Sequence, residues 1–72
     1  MNYKSNFHTR IKEIREELGL TQEQVSAETG LTRSKISDYE NGKLEPNLTQ
    51  LGILTEFYKI KTGWLLGLDT KE

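Results

Sequence analysis

Residues 21–41 read TQEQVSAETGLTRSKISDYEN, and this stretch decides the fold. Thr21 has the hydroxyl of a helix N-cap, and Gln24, three residues on, completes a capping box. Leu20 just before the cap and Val25 at the fourth helical position form a hydrophobic staple. The helix can run only to Thr29, because Gly30 interrupts it. Thr32 caps a second helix that carries Ile36 and Tyr39 and ends at Asn41-Gly42. Gly30 and Leu31 leave room only for a tight bend, and glycine reaches the positive φ that such a bend needs. Ser26 is small enough for the two helices to approach closely there. Val25, Leu31, Ile36 and Tyr39 fall on the inner side of the pair.

A small residue, a glycine four positions on, and apolar residues ten and thirteen after the small one is the spacing of a helix-turn-helix. The motif is expected over about residues 21–41. Working outward, Phe7, Ile11, Ile14 and Leu18 recur at helical spacing ahead of Gly19, a left-handed stop. Pro46-Asn47 opens a fourth helix, with Asn47 as cap, Gln50 as its capping-box partner, and a stripe of Leu48, Leu51, Leu54, Thr55 and Tyr58. Thr62 is read as the cap of a short fifth helix containing Trp64, Leu65 and Leu66. The last four residues, Asp69 to Glu72, are expected to fray. No strand alternation, internal repeat or low-complexity segment interrupts this all-α pattern.

The chain has 72 residues, 33% hydrophobic and 29% charged, so residues 1–72 are expected to form a single domain around one small core spanning about 7–68. With no cysteine there is no disulfide framework and no thiolate metal site. No apolar run is long enough to span a membrane, and MNYKSNFHTR lacks the continuous apolar segment of a signal peptide, so a cytoplasmic location is expected. The net charge of −1 argues against a strongly electrostatic nucleic-acid binder, but it is unevenly spread. Residues 1–15 carry +3, residues 16–30 carry −4 through Glu16, Glu17, Glu23 and Glu28, and residues 31–43 carry +1. One basic and one acidic face can coexist on such a surface, or the charges can simply be solvated.

The run RIKEIREELGLTQEQVSAETGLTRSKISDYENGKLEP (10–46), followed by LGILTEFYKIKTGWLLG (51–67), resembles the Cro and lambda-repressor type of DNA-binding domain, the xenobiotic-response-element family. The most specific pieces are GLTQ (19–22), ISDYENGK (36–43) and WLLG (64–67). The resemblance implies a compact lambda-repressor-like five-helix bundle that binds operator DNA, usually as a dimer, and regulates transcription. Ser26 departs from the family's common alanine, Asp38 puts an acid where bases are often read, and Gly52 interrupts the fourth helix at about 1 kcal/mol against alanine.

Candidate DNA contacts follow. Arg33, Ser34 and Lys35 form the first turn of the third helix, the end that enters the major groove; otherwise they are an exposed polar turn. An arginine there can pair bidentately with guanine O6 and N7. Ser37 and Asp38 lie one turn further on, where Asp38 can accept from cytosine N4 or repel phosphate. Thr21 and Gln22 begin the second helix, where free N–H groups and the helix dipole favour a phosphate. The resemblance gives Gln22 the role of bridging a phosphate and the recognition helix. Asn41 and Lys43 can grip the other backbone strand, and Arg10 is a further phosphate candidate. The resemblance also implies a partly buried ion pair between Arg15 and Glu40.

His8 stands alone, so no metal is expected. No nucleophile–base pair, carboxylate pair or glycine-rich phosphate loop suggests catalysis or a cofactor. Ile53 with Phe57, to one side of the main stripe, and Trp64 with Leu68 are i, i+4 apolar pairs expected to form the interface of a homodimer on a palindromic operator; otherwise Phe57 and Trp64 simply complete the monomer core. The expectation is therefore a sequence-specific regulator of transcription, a repressor acting by promoter occlusion. The alternative is an antitoxin-like module of the same fold that binds a protein through its acidic face.

Overall fold

Apolar residues at helical spacing seat the first helix against the third and the fifth. In the computed structural model, which describes residues 3–68, α1 spans Tyr3–Glu17, α2 Gln22–Thr29, α3 Arg33–Glu40, α4 Leu48–Tyr58 and α5 Thr62–Leu65. Residues 69–72 lie outside the described residues. No strand occurs among those described, and none of the helices is long and apolar enough to cross a membrane.

Phe7, Ile11 and Ile14 project from α1 into a core with Val25, Leu31, Ile36, Tyr39, Leu54, Tyr58 and Leu65. Phe7 meets Tyr39 edge to face, with ring centroids 6.1 Å apart. Tyr39 is buried to its hydroxyl, which donates to Gln50 Oε1 at 2.7 Å. That same oxygen accepts from the Asn47 N–H at 3.1 Å, so the cap of α4 is tied directly to α3. Both capping boxes expected from the sequence are present, at Thr21/Gln24 and at Asn47/Gln50. Each satisfies backbone N–H groups that a helix start leaves without partners.

Gly30 ends α2 at φ +77°, and the bend it allows brings α3 across α2. Ser26 adds more than its small size, because its hydroxyl donates across the bend to the Leu31 carbonyl at 2.6 Å. Thr29 Oγ1 donates to the Val25 carbonyl and accepts from the Leu31 N–H, which completes the turn. At the far end Gly67 is held at φ +82° against α1, where a Cβ would collide with the Asn6 side chain.

Three sequence expectations are corrected. Leu18 is 53% exposed, because α1 stops at Glu17 and the Gly19 turn sends Leu20 to the core instead. Leu48, placed on the α4 stripe, is 87% exposed: it is the first residue of α4 and lies to one side of the buried Leu54 and Tyr58. Thr62 is the first residue of α5 and not its cap; the N-cap is Lys61, which makes no side-chain capping bond.

Candidate nucleic-acid interface

The bend and the Thr32 cap together present the start of α3 to solvent. Thr32 Oγ1 accepts from the Lys35 N–H at 3.1 Å, which fixes the first turn and leaves Arg33, Ser34 and Lys35 exposed. Gln22, Arg33, Ser34, Ser37 and Asp38 line a shallow cleft of about 300 Å³ between the start of α2 and the outer face of α3. The cleft combines a fork of guanidinium donors, two hydroxyls, an amide and a carboxylate, the groups that read base edges. Lys35 projects outside it. The Arg33 guanidinium stands 3.9 Å from the Glu23 carboxylate with both side chains exposed, so it is held only loosely.

The inner end of α3 is anchored differently. Arg15 from α1 meets Glu40 in a bidentate pair, Nε to Oε2 at 2.7 Å and Nη2 to Oε1 at 2.8 Å, with side-chain exposures of 12% and 2%. The remaining Arg15 nitrogen donates to the Leu20 carbonyl at 2.8 Å. Gln22 Nε2 donates to Glu40 Oε1 at 3.1 Å, so one carboxylate joins α1, α2 and α3. Its bonds to Glu40 raise the Arg15 guanidinium above its ordinary pKa despite the opposing effect of burial. Burial, reinforced by the Glu40 charge, pushes the Tyr58 hydroxyl well above its usual value, so it stays neutral beside the pair. Tyr58 is a part of this cluster that sequence reasoning placed only in the core.

Both ends of the expected backbone grip are exposed. The Thr21 hydroxyl accepts from the Gln24 N–H and keeps its own hydrogen to donate. The Gln22 amide spends one N–H on Glu40 Oε1 and has a second to offer an acceptor. Asn41 caps α3 and donates from Nδ2 to Ser37 Oγ at 3.2 Å, while Lys43 is held by its backbone N–H to the Asp38 carbonyl and leaves its ammonium in solvent.

Arg10, the further phosphate candidate, donates from its guanidinium to the Trp64 carbonyl and lies 5.1 Å from the centroid of the Trp64 ring. The cation–π contact and the carbonyl acceptor together help to pack α5 on α1. The apolar pairs at the far end are also less exposed than their spacing suggested. Ile53, Phe57 and Trp64 are half-buried against the core, with Phe57 edge-on to Tyr58 at 4.9 Å, whereas Leu68 is 56% exposed.

Residues 11–65, from α1 to α5, match the helix-turn-helix family model, in its Cro/C1 type. The chain belongs to this family. Among its curated relatives, the HTH-type transcriptional regulator ImmR of Bacillus subtilis is 32% identical over 83% of this chain and 47% of its own length. The immunity repressor protein of Bacillus phage phi105 is 34% identical over 85% of this chain and 42% of its own. The HTH-type transcriptional activator BcrR of Enterococcus faecalis is 32% identical over 83% and 29%. The chain therefore spans less than half the length of each of these three. No solved structure matches it significantly.

Proposed function

We propose that the chain binds double-stranded DNA in a sequence-specific manner and regulates transcription; relatives named as transcriptional regulators support the second part. The observation that carries this reading is the cleft of Gln22, Arg33, Ser34, Ser37 and Asp38, solvent-facing on a helix whose other end is locked by Glu40. The start of α3 enters the major groove with Arg33 paired to guanine; Ser34, Lys35, Ser37 and Asp38 extend the base contacts. Thr21, Gln22, Asn41 and Lys43 hold phosphates on either side. With this set held on a rigid bundle, phosphate contacts fix the register and α3 reads the bases.

Regulation is proposed to be repression by promoter occlusion, which needs no residue beyond those that hold the DNA. The phage immunity repressor among the relatives favours that sign, and the activator relative carries most of its length outside the match. One copy makes few phosphate contacts, and the net charge of −1 adds little general attraction. Two linked copies on a palindromic site supply the missing affinity, with recognition helices about 34 Å apart. Leu68, beside Trp64, Phe57 and Ile53, is the proposed contact between the two.

Selection of bound duplexes from a random pool tests both levels at once. The expected result is a short enriched motif repeated as an inverted pair about one helical turn apart. Enrichment of single half-sites would overturn the paired arrangement, and no enrichment would overturn the DNA reading itself.

A further inference from the structure

His8 is the chain's only imidazole, and neither the core nor the cleft beside Arg33 uses it. It stands half-buried on α1, where its ring packs on the turn that follows α3. Gly42 in that turn has φ +74°, and a Cβ there would stand 3.3 Å from His8 Cδ2 and 3.6 Å from Nε2. The backbone that the ring touches thus lies between Asn41 and Lys43, the two residues proposed to grip one phosphate strand. The same ring lines a groove of about 400 Å³ with Thr9, Lys12, Glu13, Glu16, Glu40 and Asn41. This groove adjoins the cleft beside Arg33, because both of its α3 residues are bonded to that cleft's lining. Asn41 Nδ2 donates to Ser37 Oγ, and Glu40 Oε1 accepts from Gln22 Nε2.

Charge within the groove is graded. Around α1, Lys12 lies about 40° from His8, whereas Glu16 and Glu13 lie about 80° and about 140° round. Glu40 is already paired with Arg15. A group entering from Asn41 therefore meets His8 and Lys12 first, and the two exposed carboxylates form the far wall.

We propose that this groove holds a backbone phosphate of duplex DNA and that His8, by gaining a proton, tightens the hold as pH falls. The proposal rests on the DNA reading above and adds to it a site on α1 and a means of control. A neutral imidazole has one N–H to donate to a phosphate oxygen; a protonated one donates from both nitrogens and adds a positive charge. The groups around His8 act in both directions. Lys12 on α1 and Lys43 next to Gly42 oppose the added charge, while Glu13 and Glu16 on α1, and Glu40 on α3 to the extent that Arg15 does not offset it, favour it. A phosphate seated between His8 and Lys12 tips that balance toward the proton. By linkage, proton uptake and DNA binding then strengthen each other.

Filter binding of the selected duplex and of a random-sequence duplex, from pH 8 to pH 6, tests the proposal. Releasing one further counterion at 0.1 M salt is worth about eightfold, so both duplexes should bind up to about eightfold more tightly at pH 6, with a salt slope steeper by about 0.9. His8→Gln should abolish that pH dependence. His8→Lys, which carries a permanent charge, should bind at pH 8 as tightly as the wild type does at pH 6. A ring that only supported the turn would instead make both variants lose affinity equally at every pH. Lys12→Gln should cost about one phosphate contact at every pH. A flat wild-type profile, or an unaltered pH dependence in His8→Gln, would overturn this inference alone. No binding at any pH would overturn the DNA reading together with it.

Discussion

Among the described residues, two guanidinium–carboxylate pairs stand at opposite ends of α3, and the same chemistry is put to different use. At the C-terminal end, Arg15 and Glu40 meet bidentately at 2.7 and 2.8 Å with almost no exposure. At the N-terminal end, Arg33 and Glu23 stand 3.9 Å apart with exposures of 65% and 78%. Removing water makes a pair depend on geometry and on complete hydrogen bonding, which Glu40 has through Arg15 and Gln22. Left in water, a pair is worth about 0–1 kcal/mol and releases its arginine at little cost. The recognition role proposed for α3 would use both conditions, one end immobile to set the angle of approach and the other free to exchange its partner for a base.

The contrast is broken most directly at Glu40. Glu40→Gln leaves the Arg15 charge without a carboxylate and should cost about 3–5 kcal/mol. A chain of this size then melts about 12 °C or more below the wild type. An unchanged melting temperature would put the two pairs on the same footing.

The next largest effect belongs to the exposed end. Arg33→Ala should lose about 1–3 kcal/mol on the selected duplex and relax preference at one base pair, with an unchanged melting temperature. Lys43→Ala should weaken binding to all duplexes alike and reduce the salt slope by about one phosphate contact. Equal losses on specific and random DNA in both variants would remove Arg33 from base reading.

Alkali tests the buried end by another route. The Tyr58 and Tyr39 hydroxyls both have raised pKa values in the folded chain, chiefly through burial. Their contribution is therefore intact below the unfolded-state value of about 10, where both states hold the proton. Above it the unfolded chain ionises first and stability falls, toward about 1.4 kcal/mol per pH unit for each tyrosine. Denaturant midpoints from pH 8 to 11 should show this decline, and Tyr58→Phe should make it shallower. A flat profile would show the hydroxyls to be solvated. The smallest effect is expected from Glu23→Gln, at most about 1 kcal/mol in stability, with slightly tighter binding to every duplex because Arg33 is released.

These two ends were unequally visible in the primary structure. The helix-turn-helix was legible from Ser26 to Tyr39 because caps, glycine and apolar spacing are local signals that act within a few residues. Three of the five helix starts were placed by their capping side chains, at Thr21, Thr32 and Asn47; α1 was read only as a stripe from Phe7 although it begins at Tyr3, and at α5 the reading was off by one, because Lys61 makes no capping bond to betray its position. Leu18 and Leu48 were misread for a related reason. A leucine at the edge of a helical stripe has the right period, and only the neighbours decide whether anything covers it.

What the amino-acid order determines by itself is the list of helices, the bend at Gly30 and the set of side chains on the first turn of α3, since each follows from contacts between residues close in the chain. Tertiary structure alone decides how those side chains are used. Arg10 and Arg15 lie five residues apart on one helix with the same functional group, yet one is spent on Trp64 and the other on Glu40. The Gln22 bond to Glu40 and the neutrality of Tyr58 likewise depend on which helix packs where. Desolvation and partner geometry, which set the strength of a charge or a hydrogen bond, exist only once residues distant in the chain have been brought together.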